Sequence, residues 1–415
     1  MHALDWDFAE HLPGTSKAIH WYPGTFPSEL PATLIQAMSR PNDLVFDPYG
    51  GIGTTGLEAL RQGRRAWIVD SNPIGSLVSY VSGCLVILKG INSALPSIIL
   101  ENLRSHLSAA SERTSELGRL LVDDHLSKEI DKKLKGLVSP SPEVFSKSFD
   151  RTPNIDDLSK WIESRTIQNI EKIRNGLANA SLGHFGRLLG LVMLSAILRP
   201  ASSQTQSWGH IADNVWPKQF DQKDPFRLSQ QWLSRTETIV KKTAVSDIVS
   251  DDLEGKRFWV SLHNWQGTRR PRTAPNVAVD ALITSPPYAG AIDYALSQRL
   301  SLYFFGYSEE DVKKFCSGET GARRKRFHAT SQVQWGDELV SALSRHVGYL
   351  AQDALLAFVL PHKDHGRELG PAAIEKYLQE QEFSKIVEVE RSIRQLRARQ
   401  SWTSIKKEIV QIYGQ

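Results

Sequence analysis

The chain reads as an α/β protein, a doubly wound sheet carrying a long helical insertion, and three observations predict it. A short apolar strand at 44–47 runs into a glycine turn and an amphipathic helix, LVFDPYGGIGTTGLEALRQG, and a second strand, RAWIVD, follows at once. Further strand-like runs lie far downstream, at 257–263, 279–284 and 354–361. About 180 residues separate Asp70 from the third strand, far beyond an ordinary connection, so they must form structure of their own.

Composition bounds the function classes. The 415 residues are 40% hydrophobic and 23% charged, which suits one large or two ordinary globular domains. The opening MHALDWDFAEHLPG is acid-leaning and has no apolar run, unlike a secretory or mitochondrial targeting segment, so the expectation is a cytoplasmic protein. The strongly apolar LLGLVMLSAIL (188–198) is too short to cross a bilayer and reads as a core helix, so no membrane span is expected. Cys84 and Cys316 are the only cysteines, which excludes a disulfide framework and a CxxC ligand cluster, and His210 has no second ligand at useful spacing. No metal site is expected.

In the first unit, Gly51 and Gly53 remove side chains that would keep a ligand from the backbone, and the helix opening at Thr54 or Thr55 offers unpaired amide donors. Asp70, about twenty residues past the turn, ends the neighbouring strand where an acidic side chain can hold a pair of ribose hydroxyls. A GxG turn alone serves sterics equally well; the turn and the acid together outline a nucleoside site. The third glycine of a dinucleotide fingerprint and a Walker lysine are both missing, so S-adenosylmethionine fits better than a nicotinamide cofactor or a nucleoside triphosphate.

The middle of the chain reads as helices. LPSIILENLRSHLSAASERTSELGRLL and IQNIEKIRNGLANASLGHFGRLLGLVMLSAIL show apolar residues at i, i+3 and i+4, and VSPSPEVF separates them. The charge run DDHLSKEIDKKLKG reads as a solvated helix face. The expected organisation is a main domain at 1–90 and 256–415 that carries a helical insertion at 91–255. Within the insertion, RPASSQTQSWGHIADNVWPK (199–218) breaks the helical pattern. Ser202, Ser203, Gln204 and Gln206 could donate hydrogen bonds there and Trp208 could stack on a base; the same loop could equally be a connection whose aromatics cover the core.

The net charge of +4 is mild, but Arg323, Arg324, Lys325 and Arg326 cluster in GARRKRFH, and Arg394, Arg397 and Arg399 in ERSIRQLRARQSWTSIKK. Both segments read as phosphate contacts, with a solvated face as the alternative. Between them in character stands ALITSPPYAGAIDY (281–294), where a buried strand ends on Ser285, Pro286, Pro287 and Tyr288. Two prolines fix φ and remove amide donors, which leaves a stiff corner presenting acceptors.

Three segments resemble motifs of the amino-group DNA methyltransferases. FDPYGGIGTT resembles motif I, TSPPY motif IV, and HWYPGTFPSELPATLI (20–35) the motif X segment ahead of motif I. The resemblance covers roughly 20–90 and 256–415 and implies a Rossmann-like sheet of seven mostly parallel strands with helices on both faces, closing in an antiparallel hairpin made by SKIVEVE and EIVQIYG. It implies S-adenosylmethionine as cofactor, held by Tyr22, Pro23, Thr25, Phe26, Asp47, Tyr49, Gly51, Gly53, Thr54, Thr55, Asp70, Ser71 and Asn72. Thr25 stands where motif X commonly has lysine, and Tyr49 replaces the usual phenylalanine while keeping an aromatic wall.

At the corner, the resemblance implies that Ser285 Oγ and the Pro286 carbonyl accept the two amino hydrogens of a base, and that Tyr288 stacks on a base that has left the duplex. Serine at the first position is more usual in the cytosine-N4 branch, with adenine-N6 as the alternative. Asp293 and Tyr294 either cap the helix that follows or touch the base. The implied partner is double-stranded DNA with a specific recognition sequence, with cognate restriction or defence proteins as possible companions. An RNA base methyltransferase and a non-catalytic DNA-binding protein are the remaining readings.

Overall fold

A computed structural model of the chain describes residues 6–8, 18–111, 124–204, 214–246, 255–267, 269–322, 331–362, 369–392 and 407–415. Seven strands form one sheet: β1 (Leu44–Asp47), β2 (Arg65–Asp70), β3 (Phe258–Leu262), β4 (Val279–Thr284), β5 (Leu350–Pro361), β6 (Ser384–Ser392) and β7 (Lys407–Gly414), in the order β3-β2-β1-β4-β5-β7-β6. The pairings of β1 to β5 are parallel, and β7 runs antiparallel to both β5 and β6. The order reverses between β1 and β4, and a doubly wound sheet opens its ligand crevice at the carboxyl ends of such a pair. β5 begins before the expected 354 because Leu350 already pairs with Val279 across a register shift.

Strand periodicity sorts the side chains. Val45, Ile68, Val260 and Ile283 enter one core, while Leu44, Phe46, Trp67, Val69 and Leu282 enter another on the opposite face. The first face is covered by α1 (Glu29–Met38), α2 (Thr54–Arg61) and α3 (Pro73–Ile91). The insertion supplies α4 (Leu95–Ser111), α5 (Asp124–Leu137), α6 (Ser164–Ala178), α7 (Gly183–Ala201) and α8 (Pro225–Lys242) to the same side. After α9 (Glu309–Gly318), the second face is covered by α10 (Ser331–His346) and α11 (Leu369–Glu380).

Among the described residues, the insertion shares a core with the sheet. Leu103, Ile173, Leu191 and Leu233 belong to the same buried cluster as Val45 and Ile68, and Val138, just past α5, bridges to Phe258 at the start of β3. α5 turns Lys128, Glu129, Lys132, Lys133 and Lys135 to solvent, the solvated face expected of it, while it buries Ile130 and Leu134, and its Asp131 accepts the amide hydrogens of His184 and Phe185 at the start of α7. A charge run thus contributes a helix cap. Among the described residues α3, which matches α7 in length at 19 residues, is long and apolar enough to span a bilayer, but 83% of its apolar window is buried inside the fold, where it serves as a core helix.

Candidate active site

The glycine turn after β1 is held by its own carboxylates. Asp47 is buried; its Oδ2 accepts from Thr55 Oγ1 at 2.7 Å and its Oδ1 from Thr284 Oγ1 at 2.6 Å and the Tyr49 amide at 3.1 Å. The side chain therefore ties the turn and the first turn of α2 to the end of β4, one residue before Ser285. Burial pushes the Asp47 carboxyl up to about 6, against the three hydrogen bonds that pull it down. Asp70 acts similarly: Oδ2 accepts from Gly51 N at 2.8 Å and Oδ1 from Asn72 N at 2.7 Å, and burial raises it to about 6. The Ser71 amide also reaches this carboxylate, which leaves one of its roughly four acceptor sites for a ligand.

Gly53 adopts φ +88°, and a Cβ there would lie 2.4 Å from Ser79 Oγ on α3, so the glycine permits close helix packing. Gly51, at φ +54°, has the Tyr22 ring as its neighbour. Tyr22 in turn stacks with Tyr294 at 5.9 Å, and Gly24 packs against Tyr294 and Ile292. This brings the 20–26 segment onto the stretch that follows the proline corner. His20 anchors the segment from behind through Ser195 Oγ on α7 at 2.9 Å; burial lowers its pKa to about 4 and favours the neutral ring.

These parts enclose a cavity of about 830 Å³, open mouth included. Of the expected cofactor residues, Tyr22, Pro23, Thr25, Phe26, Asp47, Tyr49, Gly51, Thr54, Asp70, Ser71 and Asn72 line it. Gly53 and Thr55 stand behind the lining, one packed on α3 and the other bonded to Asp47. Ser285 and Pro287 reach the same cavity, whereas Pro286 is buried behind it and Tyr288 lies outside the lining.

The Tyr288 hydroxyl faces the closing hairpin. It meets Glu408 Oε1 at 2.9 Å and the Val359 carbonyl at 3.3 Å and receives the Ser285 hydroxyl at 3.2 Å. Glu408 Oε2 pairs with Arg391 Nη1 at 2.5 Å. Burial pushes both Tyr288 and Glu408 up, while Arg391 pulls Glu408 back down. The corner is also held from the second face, where Trp335 Nε1 donates to the Pro287 carbonyl at 2.8 Å.

Tyr294, singled out in the sequence for a cap or a base contact, lines the cavity, and sequence reasoning missed another part of the wall: His263, Asn264 and Trp265 after β3, and Gly318, Glu319 and Thr320. The first three sit at the carboxyl end of a parallel strand, the signal that singled out Asp70 and that applied equally here. Gly318–Thr320 close α9 and have no such signal. Asn264 Nδ2 donates to the Gly318 carbonyl and Gln266 Nε2 to Thr320 Oγ1, each at 2.9 Å, and Gly290 N donates to the Gly321 carbonyl, also at 2.9 Å, so this loop joins the β3 side of the cavity to the corner.

Glu319 accepts from the amides of Tyr294 and Ala295 at 3.1 and 2.6 Å and so caps the helical turn Tyr294–Ser297. The expectation gave that cap to Asp293, whose side chain makes no capping bond. Burial raises Glu319 to about 8, assisted by the neighbouring charges of Asp293 and Asp70.

Orphaned polar atoms fit this cavity to a nucleoside. Asn72 Nδ2 is buried and has no hydrogen-bond partner among the described residues, and His263 Nε2 is likewise unmet. Both residues line the space beside Asp70. A ligand bringing ribose and ring acceptors would supply what they lack.

The sequence leaves the loop after α7 open to a DNA contact or an ordinary connection, and its described residues are bonded within the fold as a connection would be. Ser202 donates to the Arg199 carbonyl at 2.9 Å, and Ser203, 5% exposed, accepts from Asp221 N at 2.9 Å, so both hydroxyls close the turn instead of facing outward. Gln204 spends an amide hydrogen on the Val215 carbonyl. Satisfying backbone groups at a helix C-terminus takes these donors first. Gln206, Trp208, His210, Arg323, Arg324, Lys325, Arg326, Arg394, Arg397 and Arg399 lie outside the described residues.

Comparison with known proteins bears on the N-terminal part most directly. Residues 5–80 match the family model described as DNA methylase. A Type II methyltransferase of Methanocaldococcus jannaschii, M.MjaII, is 27% identical over 135 residues, which is 31% of this chain and 23% of that protein. A second, M.PvuII of Proteus hauseri, is 47% identical over 47 residues, 11% of this chain and 14% of that protein. The chain thus spans under a quarter of the length of either relative. The residues matched by the family model include β1, the glycine turn and β2 with Asp70.

Proposed function

We propose that the chain transfers a methyl group from S-adenosylmethionine to the exocyclic amino group of a base in DNA, with cytosine N4 as the target. The observation that carries the proposal is one cavity lined both by the glycine turn with Asp70 and by Ser285 of the proline corner, cross-tied through Asp47 between Thr55 and Thr284. The DNA substrate is supported by the DNA methylase match and the two methyltransferase relatives, and their Type II label supports modification alongside a restriction or defence system.

In this reading Asp70, Asn72 and His263 hold the nucleoside, and Tyr22 and Phe26 close the cavity's side. The cofactor, when bound, supplies a methyl on a positively charged sulfur. The amino nitrogen of a base is a poor nucleophile because its lone pair is delocalised into the ring. Ser285 Oγ, by accepting an amino hydrogen, favours a tetrahedral nitrogen and stabilises the positive charge that develops on it, whereas the second acceptor that the resemblance implies, the Pro286 carbonyl, belongs to a residue outside the lining. Cytosine N4 rests on serine at position 285, and adenine N6 is the competing target. The two halves of the site are separable. Ser285→Ala should lower the single-turnover rate by about a hundredfold to a thousandfold and leave cofactor affinity within about twofold. Asp70→Ala should weaken cofactor binding while sparing the rate at saturation. Equal loss of cofactor binding in both variants would overturn the assignment.

A further inference from the structure

We propose that Tyr288 and Glu408 are positioning residues: they turn the Ser285 hydroxyl hydrogen away from the cavity, so that Ser285 Oγ faces the amino group as an acceptor only. The inference deepens the proposed function and rests on the acceptor role of Ser285.

A serine hydroxyl carries one hydrogen and two lone pairs, and nothing in serine itself decides whether it donates to or accepts from a substrate. An amino group approaching a serine that points its hydrogen into the cavity would meet a donor, and the charge forming on nitrogen would be opposed. The bonding around Tyr288 removes that ambiguity. Its single hydrogen has two partners in reach, Glu408 Oε1 at 2.9 Å and the Val359 carbonyl at 3.3 Å. An ionised carboxylate and a carbonyl are both acceptors only. The Tyr288 hydrogen is therefore spent toward the hairpin, and its oxygen can only accept from Ser285, 3.2 Å away.

The far end of the chain is fixed as well. Arg391 Nη1 pairs with Glu408 Oε2 at 2.5 Å, and Arg391 Nε donates to the Trp6 carbonyl at 3.1 Å. A guanidinium that stays charged favours the carboxylate form of its partner. The closing hairpin thus reaches the corner through a directed series, Ser285 to Tyr288 to Glu408, whose polarity is set at its buried end. This also accounts for a tyrosine that stands outside the cavity lining with its hydroxyl toward β7.

The test is a double-mutant cycle on single-turnover transfer of labelled methyl to DNA, with the dissociation constant of the cofactor and the melting temperature measured for each protein. Tyr288→Phe keeps the ring and removes only the hydroxyl. It should slow transfer by about tenfold to a hundredfold when Ser285 is present and by no more than about twofold in the Ser285→Ala background, with cofactor affinity unchanged. An equal loss in both backgrounds would mean that the tyrosine acts through its ring or the fold, and an unchanged rate in Tyr288→Phe beside a slowed Ser285→Ala would mean that the serine needs no orientation; either result overturns the inference. A Ser285→Ala protein as fast as wild type would instead remove the acceptor role, and the inference with it.

Discussion

The rim formed by the carboxyl ends of β1, β2 and β4 and the helical stretch from α4 to α8 do different work under different constraints. At the rim, individual atoms are committed: Asp47 accepts two threonine hydroxyls and an amide, and Asp70 accepts the amide of Gly51 in the turn it faces and that of Asn72 just past its own strand. The helical stretch buries side chains such as Ile173, Leu191 and Leu233 against the sheet with no comparable network on the cavity. A site built of directed bonds is sensitive to single atoms; a packed layer responds to volume.

The largest effect expected from perturbing the helical side follows from its shared core. Leu191→Ala should cost about 3 kcal/mol, within the range for buried leucines, and denaturation followed by helical circular dichroism and by loss of cofactor binding should show one transition shifted as a whole. Two separated transitions would make 91–255 an independently folding domain and break the comparison.

On the rim side the expected cost is smaller and more local. Thr284→Val removes the bond at 2.6 Å to Asp47 and leaves a buried carboxyl short of a donor, which should cost about 1–3 kcal/mol. The substitution preserves volume, so an unchanged denaturation midpoint would mean that the Asp47 tie does not hold the corner.

The smallest effect is electrostatic. Asp70 and Glu319 are raised to about 6 and about 8 by burial, so both are uncharged at low pH and become negative as pH rises through those values. Around Glu319 stand Asp293 and Asp70, and Tyr22 and Tyr294 share the same wall. A cofactor carrying a cationic sulfur should therefore gain affinity over its neutral thioether product by about threefold to tenfold between pH 6 and pH 8. Using the ratio cancels titration of the amino-acid part common to both ligands. A flat ratio would place the charged sulfur away from this wall.

How much of this was legible follows the same division. β1, the glycine turn, β2 with Asp70 and the β4 corner stand in the sequence because each demands particular residues at fixed spacing: glycines with positive φ, an acid at a strand end, prolines in tandem. The insertion was legible only as helices, since an apolar period reports burial without naming the partner surface; that α6 and α7 would share a core with β1 and β2 does not follow from it. Glu319 and Thr320 escaped because their place in the wall depends on how α9 ends and where Asn264 and Gln266 bind it, contacts across more than fifty residues of chain. Ser203 shows a related limit: the sequence marks a polar loop residue without telling whether its hydroxyl meets a ligand or, as here, the backbone of Asp221.

The central claim is that one cavity brings a methyl donor to an amino group held at Ser285. Its most direct test is nucleoside mass spectrometry of DNA incubated with the purified chain and isotopically labelled S-adenosylmethionine, with RNA run in parallel. The account predicts label in DNA as N4-methylcytosine. Label in N6-methyladenine would keep the mechanism and refute serine as the selector of the base, and label in RNA alone, or none while the cofactor binds, would contradict the account.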